Sequence, residues 1–365
     1  MDFTVSHTDG NARAGSLALS RGTLHTPVFM PVGTMGAVKA MSPDELRAVG
    51  AQIILCNTYH LYLRPGEDTI AGAGGLHEFI SWDGPILTDS GGFQVYSLSP
   101  LRKIGEEGVT FKSHIDGSTH FIGPRESMEI QRALGSDIAM AFDECTPYPS
   151  SYEYTLKSLE LTTKWAEICL KTATKPQTLF AIVQGGVYKD LRLQSAAQLR
   201  DLNFEGYAIG GVSVGEPKAI MHEIIGYMAS ELPADKPRYL MGVGFPEDIL
   251  VAVEAGFDMF DCVIPTRTAR HGTLLTTHGR VAIRNSQFRR DHTPLDAGCG
   301  CYTCQNFTKS YLNHLFRARE ILGIRLNTIH NLYFYLDFMK KIRAAIEQDR
   351  FNSFKKDWLP VYLSR

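Results

Sequence analysis

The 365-residue chain lacks any apolar run near the ~20 residues that a membrane-spanning helix requires. Its opening, "MDFTVSHTDG", has neither the basic stretch nor the apolar segment of a secretory leader, so a cytoplasmic protein with no membrane partner is expected. Cysteine is sparse, with seven in the chain, and a disulfide framework is not expected. Cys56, Cys145, Cys169 and Cys262 lie scattered in apolar runs and read as buried thiols. Neither sign of charge dominates, and a net charge of −2 advertises no polyanionic partner. Low-complexity segments are absent. No glycine-rich fingerprint follows the first expected strand, and "MGVG" alone is weak evidence for nucleotide binding.

What is present is a rhythm. Eight short apolar runs each stop at a glycine or polar residue: 26–33, 52–57, 85–92, 137–144, 178–186, 206–211, 238–244 and 258–266. Helix-like periodicity fills 42–50, 124–135, 152–174, 189–202, 216–232 and 246–256, the first opening on Ser42 as N-cap with Pro43 behind it. Near-continuous apolar strands are buried on both faces, so they are parallel strands covered by helices. Eight such units predict a (β/α)8 TIM barrel of class α/β, with a doubly wound open sheet as the competitor. The first two dozen residues read as a hairpin preceding the barrel. The expected organisation is a barrel over 1–279, a small zinc-binding subdomain over 280–335 inserted near the C-terminus, and a C-terminal helix over 336–365 closing the barrel.

Barrel enzymes carry their chemistry at the carboxyl ends of the strands. Those ends hold Asp89, Asp143, Gln184, Gly210, Gly211, Met241 and Asp261. One Asp at a strand end is often a helix N-cap, but three on one mouth are harder to explain that way. Two carboxylates near one bond suit chemistry at an anomeric carbon. Gln184 offers a donor and an acceptor, the neighbouring Asp adds acceptors, and the glycines let a ligand approach the backbone. Phe93 and Met241 supply apolar faces for a ring. The residues describe a site for a flat heterocycle attached to a sugar.

Two further features stand apart. Cys299, Cys301 and Cys304 crowd into "CGCYTC" and lack a fourth tetrahedral ligand, for which His278, His292, His314 and His330 are candidates. A Cys3His set suits structural zinc, with an iron–sulfur cluster as the alternative. From Arg267 to Arg290 the chain carries Arg267, Arg270, Arg280, Arg284, Arg289 and Arg290 with no acidic residue. Such a run is either a solvated face or a phosphate-binding one.

The segments "LTDSGGFQVYSL", "FDECTPYP", "GGVSVGEP", "RYLMGVG", "MFDCVIPTRTARHG" and "CGCYTC…LNTIHNL" resemble the tRNA-guanine transglycosylase family in its bacterial form. The similarity runs from "TPVFMPVGTMG" nearly to the C-terminus. It implies replacement of guanine at the wobble position of tRNAs with a G-U-N anticodon by 7-aminomethyl-7-deazaguanine, a 7-deazaguanine base on the route to queuosine. The resemblance makes Asp261 the nucleophile and Asp89 the general acid/base, roles that the residues alone do not distinguish. Asp143 and Gln184 become base-edge readers, helped by backbone around Gly210, Gly211 and Val212, with Phe93 and Met241 sandwiching the ring.

The resemblance also implies that His330 completes the ligand set for one Zn2+ per subunit. Arg267, Arg270 and Asp248 would contact the RNA flanking the wobble base, and the protein would be a homodimer. Cys145 and Val214 match the pattern that takes the small base rather than queuine. Bacterial members often carry Lys where Phe245 stands here, which removes one cation from the RNA face. A non-catalytic tRNA-binding partner subunit and a carbohydrate-cleaving barrel glycosidase are the rival readings; the retained Asp89 and Asp261 argue against the first, the arginines and zinc subdomain against the second.

Overall fold

The computed structural model describes residues 1–98 and 102–364. Eight parallel strands close into a barrel in the order Val28–Gly33, Ile54–Cys56, Ile86–Thr88, Ile138–Met140, Thr178–Val183, Gly206–Ile209, Arg238–Leu240 and Met259–Cys262. The last pairs with the first, Phe260 opposite Phe29 and Asp261 opposite Met30, and seals the ring. All eight expected strands are found, each shorter than its apolar run. The surplus residues at their carboxyl ends form the loops of the mouth. The open-sheet alternative is thereby overturned.

The strands are buried on both faces because the interior is filled and helices cover the outside. Val28, Met30, Leu55, Leu87, Met140, Phe180, Ile182 and Met259 belong to the inner cluster, together with Leu17 and Leu24 from the N-terminal segment. That segment is a three-stranded antiparallel sheet, Asp2–Asp9, Ala12–Leu19 and Gly22–Thr26, one strand more than a hairpin. It is locked on by Arg13, whose Nε and Nη2 donate to the two carboxylate oxygens of buried Asp258 at 2.8 and 2.5 Å. Arg13 also donates to Ala234 O and Lys236 O, which hold its remaining N–H groups. Asp258 precedes the last strand, so this junction is at the amino end of the barrel, opposite the mouth.

The expected helices are present with bounds moved by one or two residues. Pro43–Ala48 starts as its sequence dictates: Ser42 Oγ accepts from Glu45 N, and Glu45 Oε2 accepts from Ser42 N at 2.9 Å. Several elements have no counterpart in the periodicity, among them the short helices Thr58–Leu63, Glu67–Gly72 and Leu76–Ile80 and two small sheets. Arg102–Ile104, Val109–Lys112 and Thr119–Ile122 form an antiparallel sheet inserted before the helix Pro124–Leu134. Thr273–Thr276 and Gly279–Ala282 form a hairpin after the barrel. The helix Ile321–Glu347 then runs without a break through residue 335, where the subdomain boundary was drawn, and Phe351–Leu363 follows. Arg365, the end of the expected last segment, lies outside the described residues. Among the described residues no helix is long and apolar enough to cross a membrane.

Candidate active site

Strand order places the polar residues of the mouth on one continuous arc. Asp89 follows the strand Ile86–Thr88, and its neighbours in turn are those preceding Asp143, Gln184, Gly210 and Met241, then the strand that contains Asp261. Phe93 opens out from the helix Gly92–Leu98 after Asp89, and its strand lies diametrically across the ring from the one that delivers Met241. Phe93 is 46% exposed, and Met241 packs against the inner cluster. The two residues thus follow strands on opposite sides of the ring.

Asp89 is buried and fixed through both oxygens. Thr58 N donates to Oδ1 at 2.9 Å, and Asn57 Nδ2 donates to Oδ2. Thr58 Oγ1 also donates to Asp89 O at 2.6 Å, which holds the backbone. Burial raises the carboxyl pKa, the donors from Asn57 and Thr58 lower it, and the charge of Asp261 raises it again, leaving it at about 6. A carboxyl poised there can give and take a proton near neutrality.

Asp261 is held differently. Tyr239 Oη donates to Oδ1 at 2.6 Å and Gly242 N donates to the same oxygen at 2.9 Å. Oδ2 accepts no hydrogen bond among the described residues, and the residue is partly exposed at the mouth. Burial of the site pushes its pKa upward, opposed by the donors from Tyr239 and Gly242. One oxygen is anchored and the other is available to attack.

The base-edge candidates form one hydrogen-bonded chain. Ser90 Oγ donates to Asp143 Oδ1 at 2.8 Å, and Gln184 Nε2 donates to Asp143 Oδ2 at 2.7 Å. Gln184 is fully buried, yet its Oε1 has no partner. A buried amide oxygen left unpaired costs about 1–3 kcal/mol, so this oxygen is an acceptor able to take a hydrogen bond from a ligand. Gly211 has φ +62°, and a Cβ there would collide with that oxygen. At Gly210 a Cβ would come within 2.7 Å of Gln184 Nε2. Bare backbone at both positions is what lets the amide lie against the strand end. Val212 is buried behind them.

Cys145 is buried, and burial pushes its thiol up to about 12, so it is a neutral wall of the pocket. Val214 is partly buried and lines a small cleft with Thr146, Tyr148, Gly186, Tyr188 and Gly211. Its N–H donates to Glu216 Oε2 at 2.9 Å.

Arg267 and Arg270 stand on Ile264–Arg270, the helix directly after the Asp261 strand, with Arg267 exposed and Arg270 partly so. Asp248 is not laid open beside them. It is buried, and its Oδ1 accepts from His222 Nε2 at 2.8 Å and pairs with Lys218 Nζ at 3.0 Å. The ring of Phe245 gathers cations of its own, with Arg280 4.5 Å and Lys218 5.3 Å from its centre.

Cys299, Cys301, Cys304 and His330 come together from two elements 26 to 31 residues apart. Their sulfurs lie 3.7, 3.5 and 3.3 Å from His330 Nδ1. A tetrahedral ion bound ~2.3 Å from sulfur and ~2.0 Å from nitrogen has S···N edges of about 3.5 Å. His330 Nε2 lies 2.7 Å from Leu275 O; a proton donated there leaves the Nδ1 lone pair facing the sulfurs. The four form a cluster able to hold a metal ion, with geometry that fits zinc. His278, His292 and His314 are not in it.

Sequence reasoning missed Asn57, Thr58, Ser90, Tyr239 and Arg192. Each acts through a partner on another strand. Only Arg192 carried a signal, a charged residue on the stripe Leu191, Ser195, Ala196, Leu199 that its helix buries.

Two carboxylates, a buried amide and a cationic helix gather at one barrel mouth, an arrangement suited to an enzyme acting on a glycosidic bond. The sequence model described as queuine tRNA-ribosyltransferase matches residues 8–364, and the chain belongs to that family, a family of pentosyltransferases. It is 58% identical over 366 residues to the queuine tRNA-ribosyltransferase of Pelotomaculum thermopropionicum, covering 99% of both chains. It is 58% identical over 364 residues to that of Thermodesulfovibrio yellowstonii, covering 99% of this chain and 95% of the relative. Identity to the Halothermothrix orenii protein is 56% over 368 residues, covering 100% and 99%.

Proposed function

We propose that the protein exchanges guanine at the wobble position of tRNAs with a G-U-N anticodon for 7-aminomethyl-7-deazaguanine, by two displacements at the ribose anomeric carbon. The observation that carries this reading is the unequal treatment of two carboxylates in one mouth. Asp261 has one oxygen anchored by Tyr239 and Gly242 and one without a donor. Asp89 is gripped at both oxygens, with a pKa near 6.

Asp261 Oδ2 attacks the anomeric carbon as the bond to guanine N9 breaks, and Asp89 in its acid form supplies the proton that leaves with guanine. The chain is then joined to the RNA through an aspartyl ester to ribose. Asp89, now a carboxylate, removes the N9 proton of the incoming base, whose nitrogen displaces Asp261. Two inversions retain configuration, and no energy source is needed because one glycosidic bond replaces another. Asp143 and Gln184 read the edge of the base, Phe93 and Met241 cover its faces, and the base leaves the anticodon stack to reach them. Arg267 and Arg270 neutralise neighbouring phosphates, while Asp248, held by His222 and Lys218, ties the helix Pro246–Ala255 to the helix before it.

The Cys3His set holds zinc in a structural role, since four protein ligands leave no position for water. Its part is to brace the segment after the barrel. His330 is followed by Asn331, whose Oδ1 accepts from Leu275 N at 3.0 Å and whose Nδ2 donates to Pro265 O at 3.0 Å. Pro265 lies in the first turn of the helix that carries both arginines. We further propose a cytoplasmic homodimer.

A second reading has one specific support: the relatives' printed name is queuine tRNA-ribosyltransferase, so queuine itself is the alternative base. Val214 beside Gly211 narrows the cleft and favours the smaller one. Exchange of labelled guanine into unmodified tRNA with a G-U-N anticodon tests both readings, run with Asp261→Asn and with each deazaguanine as competitor. Activity in wild type, none in the variant, and stronger competition by the aminomethyl base is the expected result. No exchange by folded, zinc-loaded wild type overturns the enzymatic reading.

A further inference from the structure

Arg192 is fully buried, and among the described residues no carboxylate lies within ion-pairing distance of it. A buried arginine is ordinarily matched by an acid. This one is matched by backbone alone. Nε donates to Gly186 O at 2.6 Å, Nη1 to Gly210 O at 3.1 Å and Nη2 to Gly211 O at 3.0 Å. Burial lowers its pKa only to about 10, so the cation persists at neutral pH.

The three carbonyls belong to the loop ends of adjacent strands, after Val183 and after Ile209. The rigid guanidinium fork is the side chain that can donate in three fixed directions at once; a lysine ammonium has no such planarity. A trans peptide sets its N–H opposite its C=O. Pulling the oxygens of Gly210 and Gly211 onto the guanidinium therefore turns the N–H groups of Gly211 and Val212 the other way. Neither N–H donates a hydrogen bond among the described residues. Beside them lies the unpartnered Oε1 of Gln184, in the space that a Cβ on Gly211 would fill. Two open donors and one open acceptor thus stand together, and all three are held by partners on their far side.

We propose that Arg192 is a positioning residue for base recognition: it clamps the Gly210–Gly211 peptides so that the N–H groups beyond them meet a carbonyl oxygen on the heterocycle. The inference rests on the base-exchange reading and adds to it the side chain that holds the base-facing backbone in place. Gly210 and Gly211 are then more than small residues, because the clamp needs their carbonyls at a backbone angle, φ +62° at Gly211, that a side chain resists.

The test compares Arg192→Lys with wild type in steady-state exchange, using guanine, 2-aminopurine (no 6-oxo group) and hypoxanthine (no 2-amino group) as competing bases. For Arg192→Lys the KM for guanine should rise roughly tenfold to a hundredfold, the range for losing preset hydrogen bonds, with KM for tRNA within about twofold. The preference for guanine over 2-aminopurine should collapse by a similar factor, and the preference over hypoxanthine should persist. A purely structural role would lower the folded fraction and leave both preferences and KM unchanged, and that outcome overturns the proposal.

Should Arg192→Lys not fold, hydrogen exchange on wild type decides. Guanine but not 2-aminopurine should slow exchange in the segment around Gly211 and Val212, and equal or absent protection sinks the idea. Failure of the base-exchange reading is distinguished by the wild-type reaction itself, which would then not occur with any base.

Discussion

Tyr239 and Asp261 lie on adjacent barrel strands, and the phenol hydroxyl donates to Oδ1 of the carboxylate at 2.6 Å. The tyrosine is fully buried, so the bond is made in a water-poor setting where it is strong. It leaves the opposite oxygen as the reactive one. Burial raises the Asp261 pKa and the Tyr239 bond opposes it. Tyr239→Phe should therefore raise that pKa further. The acid limb of kcat/KM should move to higher pH, and the rate at pH 7 should fall about tenfold to a hundredfold. A pH–rate profile with an unmoved acid limb would separate Tyr239 from the nucleophile.

Asp89 carries a stability signature. Its folded pKa is about 6 against 3.8 for the free group, so the folded state binds the proton more tightly. That contribution is fully present below pH 3.8 and is lost as pH rises through about 6. Above that range the buried carboxylate is a cost. Asp89→Asn, inactive in exchange, should stabilise the fold relative to wild type by roughly 1–1.5 kcal/mol more at pH 8 than at pH 5. Urea unfolding at the two pH values, with zinc content matched, provides the measurement.

Removing the metal should divide the two halves of the substrate. His330→Ala frees the link from the cysteine cluster to the helix Ile264–Arg270 through Asn331. The expected result is loss of bound zinc, a melting temperature lower by several degrees, and a KM for tRNA raised about tenfold. Affinity for the free base, measured by calorimetry, should change by less than about twofold, because Asp143 and Gln184 are held from the opposite side of the barrel.

Arg267→Ala should weaken tRNA binding uniformly and reduce the slope of log K against log salt by about one. The KM for the base should stay put. An unchanged salt slope would place Arg267 outside the phosphate-binding face.

Val214→Gly should widen the cleft beside Gly211 and improve competition by queuine about tenfold, with guanine exchange little altered. Equal competition before and after would show that the backbone, not the branched side chain, sets the size of the pocket.

Much of this was legible in the sequence, for reasons that differ residue by residue. The barrel announced itself because a strand buried on both faces has no polar alternation, as in "TLFAIV", where all six residues are buried. Asp89, Asp143 and Asp261 stood out as acids ending apolar runs. Ser42 with Pro43 behind it declared a helix start, and the structure adds Glu45 as its capping partner three residues on. The sheet between Arg102 and Ile122 did not show, since its strands are three or four residues long and partly charged. Tyr239 looked like core because it is core, and its hydroxyl finds Asp261 from the neighbouring strand, 22 residues away. Asn57 reaches Asp89 over 32 residues, with no periodicity to carry the signal. Local pattern reveals what a residue is buried against, and only the closed ring reveals which atom it meets.

The pairing of Asp261 with Met30 at the seam of the ring bears on how the protein is born. Asp261, the proposed nucleophile, sits on the last barrel strand to be synthesised, and its place is defined by the first. Tyr335, later still, packs its ring at a tilt against Phe29 with centroids 4.7 Å apart and donates to Gly244 O at 2.6 Å, fastening that seam from outside. A ribosome-bound or truncated chain that ends before Asp261 cannot pair the last strand with the first, so the ring that sets the mouth stays open. On the proposed mechanism, bond-making capacity arrives only in the final third of translation, and a product that ends before residue 261 cannot join itself to RNA.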